Sequence, residues 1–302
     1  MDKAKRTIRR KNAPLAFYWE KVRDLIFGKG RDPWEGKRPI FIVSTGRTAT
    51  KFFAKFFRER FDKVRAVHEP PIDIFPVAVA YFRGKLSYEK ARFYFDYFRN
   101  WILKEMDERG ERIYLESNPR LAFMLPIVKN LGKDHRIIHI TRDCKAYVRS
   151  GYSKETEIQG KTVKVRSKAD PRNRITAKDF PKDPYTRKWD KMSRFEKNCW
   201  FWQKKDRLIQ EELAEDPNSC RFYYEQLFES QKAEEVWEEL IRFIGLKDHE
   251  QDAGRIRDYL SSNVENKNAY YELGPWDTWT EEQQRTLIEI AGEHMKELGY
   301  EL

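Results

Sequence analysis

Residues 41–53 read FIVSTGRTATKFF, an apolar run, a small polar turn with one glycine, and the amphipathic opening of a helix. Strand, turn and helix in that order aim several backbone N–H groups at one point. The helix dipole adds to that positive field, which is how α/β proteins cradle a phosphate. Thr48 and Thr50 add hydroxyls, and Arg47 and Lys51 add charge. The Walker A pattern, a glycine followed at fixed spacing by Gly-Lys-Ser/Thr, is absent, and Phe52 stands where a magnesium-holding hydroxyl would follow Lys51. RIIHIT (136–141) carries no Walker B carboxylate. The pattern points away from ATP–magnesium chemistry and towards a phosphate or sulfate ester handled without a metal.

Outward from this loop, Pro39–Ser44 reads as a buried strand and Thr48–Phe61 as a helix. Val64–Val67 is a second short strand, ended by His68-Glu69-Pro70-Pro71. Residues 72–109 are mostly helical and rich in aromatics, IYLES (113–117) is a third strand, and Leu121–Leu131 a helix. RIIHIT is a fourth strand, with a helix from Asp143 through Ser153. Further on come a helix over Ser193–Glu215, a strand CRFYY (220–224) and helices over Ala233–Ile244 and Thr280–Leu298. Strands alternating with helices predict an α/β fold of three layers, P-loop NTPase-like, with a mainly parallel sheet and ligands at the carboxyl ends of the strands.

The chain has 302 residues, enough for one large domain with a basic helical extension at 1–37 and a single domain over 38–302. Its 40% apolar content, with 15% aromatics, argues against disorder. A net charge of +11 calls for a negatively charged partner: a phosphorylated nucleotide, an acidic acceptor, nucleic acid or a membrane surface. The basic N-terminal stretch is interrupted by Glu20, Lys21, Arg23 and Asp24, so it reads as an amphipathic helix on the domain rather than a signal peptide or membrane span. Cys144, Cys199 and Cys220 form no CxxC pattern, which argues against a disulfide framework or zinc site and fits a reducing, cytoplasmic compartment. Residues 154–191 hold twelve Lys/Arg against six Asp/Glu, a net +6 in 38 residues. This insertion reads either as a solvated flexible loop or as a lid that attracts an acidic acceptor.

A second motif follows the fourth strand: Arg142-Asp143-Cys144-Lys145-Ala146-Tyr147-Val148-Arg149-Ser150. Arg142 sits just past a strand's carboxyl end and Ser150 about two helical turns on, so both can address one phosphate. With both motifs in hand, the sequence resembles the sulfotransferases that use 3′-phosphoadenosine-5′-phosphosulfate (PAPS) and release 3′,5′-adenosine bisphosphate (PAP), above all bacterial and tyrosylprotein-type members. STGRTATKF resembles the family's 5′-phosphosulfate loop and RDCKAYVRS its 3′-phosphate motif. YLESNP, RFYYEQL and NKNAYYELGPW (266–276) resemble further segments in the same order, so the likeness spans about residues 38–300.

The resemblance implies that Arg47, Thr48, Thr50 and the surrounding backbone of Thr45, Gly46, Ala49 and Lys51 hold the 5′-phosphosulfate. Arg142 and Ser150, helped by Lys267, hold the 3′-phosphate, and Phe52 and Tyr224 contact adenine. Tyr224 reads equally as a core residue, and Glu116 and Asn118 either as substrate contacts or as parts of the turn around Pro119. Ala49 departs from the usual glycine, and Ser117 stands where tyrosylprotein members carry lysine.

Sulfuryl transfer needs an aligned acceptor, a base beside it and positive charge on the leaving oxygen. Arg47 is the candidate for that charge, and Glu69, favoured over His68, for the base. The acceptor is a hydroxyl or amine on a small or acidic molecule, with no nucleic acid and no membrane anchor expected. The rival readings are a P-loop kinase and a non-enzymatic anion or nucleic-acid binder.

Overall fold

The computed structural model describes residues 22, 25–28, 31–159, 175–247, 256–262 and 271–302, with side chains from 153 to 159 excepted. Five parallel strands form one sheet in the order β2-β3-β1-β4-β5: β1 (Arg38–Ser44), β2 (Val64–His68), β3 (Ile113–Ser117), β4 (Arg136–Thr141) and β5 (Ser219–Tyr223). β1 lies in the centre, and alternate residues feed two separate cores. Phe41 and Val43 join one, with Trp34, Phe95 and Trp202; Ile40 and Ile42 join the other, with Phe52, Phe56 and Trp237. A strand covered on both faces reads as a continuous apolar run, which is how RPIFIVS is written. Helices on both faces complete the expected three layers.

The helices are α1 (Thr50–Arg60), α2 (Phe75–Phe82), α3 (Tyr88–Arg109), α4 (Cys144–Gln159), α5 (Arg194–Leu213), α6 (Tyr224–Phe228), α7 (Ala233–Phe243), α8 (Ile256–Ser262) and α9 (Glu281–Glu297). α5 and α9 open with reciprocal capping boxes, Ser193 with Glu196 and Thr280 with Gln283, which fixes their first residues. The expected helix over 121–131 is broken instead into a 3-10 segment, Pro119–Phe123, and one helical turn, Leu125–Val128. Pro119 and Pro126 each remove a backbone donor and fix φ, so neither run can be extended backwards. α4, conversely, runs past the expected Ser153 to Gln159.

Part of the basic insertion is packed. Thr176 and Asp179 cap a 3-10 turn, Arg83 of α2 grips Asp179 through two hydrogen bonds of 2.7 and 2.9 Å, and Phe180 lies against Phe82 and Trp200. Residues 160–174 lie outside the described residues, as do 1–21. Phe27 and Trp34, from the basic extension, pack on α3, where the Trp34 indole donates to Asp96 over 2.8 Å.

Candidate active site

From β1 the chain crosses to β2 and returns as β3, whereas β4 lies on the other side of β1. The carboxyl ends of β1 and β4 therefore flank a topological switch point, where open α/β sheets hold ligands. The loop after β1 and Arg142 after β4 face each other there.

Ser44 organises the loop. Its hydroxyl accepts from the Gly46 N–H at 3.1 Å and from the Thr48 hydroxyl at 2.7 Å. Thr48 is fully buried and spends its hydroxyl proton inside the loop, while Thr50 is the first residue of α1 and Lys51 is exposed. Positive φ angles at Gly46 (97°), Arg47 (60°) and Ala49 (55°) turn the chain sharply enough for α1 to begin at once. Ala49 thus takes the left-handed conformation that favours glycine, and it caps α1 with no side-chain bond.

The two motifs meet. The Arg47 Nε donates to the Ser150 hydroxyl over 2.9 Å, and Arg142 donates to the Arg47 carbonyl. Arg142 lies flat over the Tyr224 ring, 4.1 Å from its centroid, while its own carbonyl accepts from the Trp202 indole at 2.8 Å. Its Nε is buried with no hydrogen-bond partner among the described residues. Behind it, Glu225 of α6 accepts from the Asp143 N–H and from the Tyr300 hydroxyl, each at 2.9 Å, locking the start of α4 to α6 and the C-terminal residues. Asp143 in turn accepts from the Ala146 N–H at 3.0 Å, and burial pushes its carboxyl above the usual range.

Other expected residues lie elsewhere. Phe52 is only 4% exposed and packs its ring among Phe56, Phe228, Trp237 and Tyr259, on the core side of α1. Tyr224 is the exception: it stacks on Phe228 and meets the Arg142 guanidinium in the site. Glu116 faces away from solvent altogether: Arg99 binds it through two 2.6 Å hydrogen bonds, and Tyr114 and Asn118 complete its shell. His139 is a buried core histidine, bonded to Asp206 at 3.1 Å. Lys267 lies outside the described residues.

At the end of β2, the His68 Nδ1 stands 2.9 Å from the Ser117 carbonyl. A carbonyl only accepts, so Nδ1 carries a proton, and in the neutral form of the ring the lone pair is on Nε2. Glu69 follows with a positive φ of 41°, its carboxylate 3.0 Å from the Arg120 guanidinium, which also holds Asp73 at 2.8 Å. Sequence reading missed Lys205 of α5, which is 5% exposed and donates to the Thr45 carbonyl at 3.3 Å. It also missed Ser44, Trp202 and Glu225.

A hollow lined by Asp32, Lys37, Arg38, Arg112 and Lys133 opens at the amino ends of β1 and β3, the far edge of the sheet from this site. Among the described residues, no helix is long and apolar enough to cross a membrane, and no three His, Cys, Asp or Glu side chains are grouped to hold a metal. The three cysteines are free thiols.

No protein-family model matches the chain, and no curated protein matches it. Among solved structures, it is similar to the sulfotransferase domain from the curacin biosynthetic pathway, at 12% sequence identity and a TM-score of 0.43, covering 88% of this chain and 99% of that one.

Proposed function

We propose that this protein is a sulfotransferase that takes its sulfuryl group from PAPS and passes it to a hydroxyl or amine acceptor. The observation that carries the reading is the junction of Arg47, Ser150 and Arg142, which brings the 5′ and 3′ motifs of the sequence to one crevice. The donor set fits two anionic groups: guanidinium, hydroxyl and the N–H groups of a loop entering a helix. The buried Arg142 Nε has no hydrogen-bond partner among the described residues, and a phosphate oxygen there would offset the cost of its desolvation. PAPS, when bound, supplies an activated sulfuryl group with PAP as the leaving group.

In this reading the loop N–H groups and Arg47 hold the 5′ end and bear the charge that develops on the leaving oxygen. Arg142, held against the Tyr224 ring, holds the 3′-phosphate together with Ser150, whose hydroxyl accepts from Arg47. His68 is the base. Its tautomer leaves Nε2 able to take a proton from the acceptor, whereas Glu69 is engaged by Arg120. This reverses the preference for Glu69 drawn from the sequence.

The test is thermal stabilisation by PAP, set against ATP with magnesium and against DNA. Saturation at a hundredfold the dissociation constant adds about 2.7 kcal/mol. A shift with PAP that disappears in Arg142→Ala supports the reading. No shift with PAP, or a larger one with ATP–magnesium or DNA, overturns it in favour of the kinase or the nucleic-acid binder.

A further inference from the structure

Apart from Trp200, which packs on another side, the buried residues of α5 fall at Phe195, Asn198, Cys199, Trp202, Lys205, Asp206, Ile209 and Leu213, a stripe with helical spacing that faces the sheet. Lys205 and Asp206 are the charged residues on it. The Asp206 carboxylate is matched on its own side: His139 and His294 contact its two oxygens at 3.1 and 3.0 Å, and the Thr141 hydroxyl donates at 3.0 Å. Lys205 reaches the other way, to the loop. Its ammonium donates to the Thr45 carbonyl at 3.3 Å and lies 5.6 and 5.5 Å from the ring centroids of Phe123 and Phe201.

Lysine is an expensive residue to place on such a stripe, because its charge gives up water there. The same surroundings give the charge reach. Between aromatic rings, away from bulk water, an ammonium acts on a neighbouring anion several times more strongly than at the surface. Thr45 immediately precedes Gly46, where the loop's turn begins, so the ammonium sits against the backbone that would cradle the 5′ group. The other cations are differently disposed: Arg142 is stacked on Tyr224, the Arg47 Nε is turned to Ser150, and Lys51 is exposed.

We infer that Lys205, a residue of neither motif, is the fixed positive charge that binds the 5′-phosphate end of the nucleotide from beneath the loop. The inference rests on the PAPS reading above and adds a binding residue to it. Delivery from the middle of a helix, not from the loop, holds the charge in place before ligand arrives.

The experiment compares the affinities of PAP and 3′-AMP, which differ only by the 5′-phosphate, for the wild type, Lys205→Met and Lys205→Gln by calorimetry. Folding is checked by circular dichroism. Glutamine keeps an N–H donor for Thr45 and nearly the same length, so it also serves if the methionine variant fails to fold. The wild type is expected to prefer PAP, and both variants to lose roughly tenfold or more of that preference while binding 3′-AMP as before. A preference retained in both variants overturns the inference. One lost in the methionine variant but kept with glutamine also overturns it, because the lysine then merely pins the loop by a hydrogen bond. A wild type that binds neither nucleotide defeats the PAPS reading itself, a result distinct from these.

Discussion

Arg47 and Ser150, 103 residues apart in the chain, are joined by a 2.9 Å hydrogen bond from guanidinium to hydroxyl. The two halves of the site are therefore one unit, and damage to one is felt in the other. Ser150→Ala removes an acceptor from Arg47. It is expected to weaken PAP binding roughly tenfold and to lower stability by about 1 kcal/mol. Calorimetry with PAP and a urea titration check both numbers. Loss of stability without loss of affinity would show that the bond is only architectural.

Ala49 holds a left-handed conformation that costs a residue with a Cβ about 1–2 kcal/mol. Ala49→Gly is expected to raise stability by up to about 1 kcal/mol, since the added chain entropy of glycine cancels part of the relief. The urea midpoint should rise with an unchanged slope. A fall would mean that the methyl group earns its place by packing.

His68→Gln and Glu69→Gln separate the two candidates for the base. The first is expected to slow PAP release from PAPS, measured against a panel of phenol and amine acceptors, by roughly 10²–10⁴. The second is expected to cost less than about tenfold, because that carboxylate is held by Arg120. The reverse order of effects would restore Glu69 to the role.

Burial alone would raise the Asp206 carboxyl, but His139 and His294 outweigh it and hold the group well below the usual carboxylate range. A folded-state pKa lowered in this way adds stability above the unfolded value of about 3.9, and that contribution is lost as the pH falls through it towards the folded value. The wild type is thus expected to lose stability steeply below about pH 4. Asp206→Asn should be less stable at pH 7 by about 3 kcal/mol and show a shallower acid loss. Urea midpoints from about pH 7 down to about pH 2 decide it, because the loss begins only below the unfolded carboxyl value.

Glu116→Gln leaves the Arg99 guanidinium, 1% exposed, beside a neutral amide. The expected cost is about 3–5 kcal/mol of stability, with any loss of PAP affinity confined to what unfolding explains. A fully stable variant with impaired turnover would return Glu116 to the substrate contacts.

Much of this was written in the sequence, and the exceptions have physical causes. IYLES and RIIHIT end where the strands end, because β-rich apolar runs stop at residues that cannot continue them. The two motifs were legible because each depends on local geometry, a strand feeding a turn and a helix. Phe52 shows the limit: position beside the loop says nothing of which way a ring turns, and the aromatic core beneath α1 claimed it. Glu116 reads like a ligand until Arg99, which precedes it by 17 residues, is known to pack on the same face. Lys205 had a faint signal. A Lys-Asp pair on the apolar stripe of α5 breaks the pattern that Trp202 and Ile209 set, and such breaks repay attention.

Tyr300, third residue from the end of the sequence, hangs on Glu225, and Glu225 holds the first turn of the helix that carries Ser150. For anyone handling the protein this has a practical side. Trimming the last few residues, or crowding them with a purification tag, pulls from behind on the crevice where the two motifs meet. An inactive preparation made that way says more about its engineering than about the enzyme.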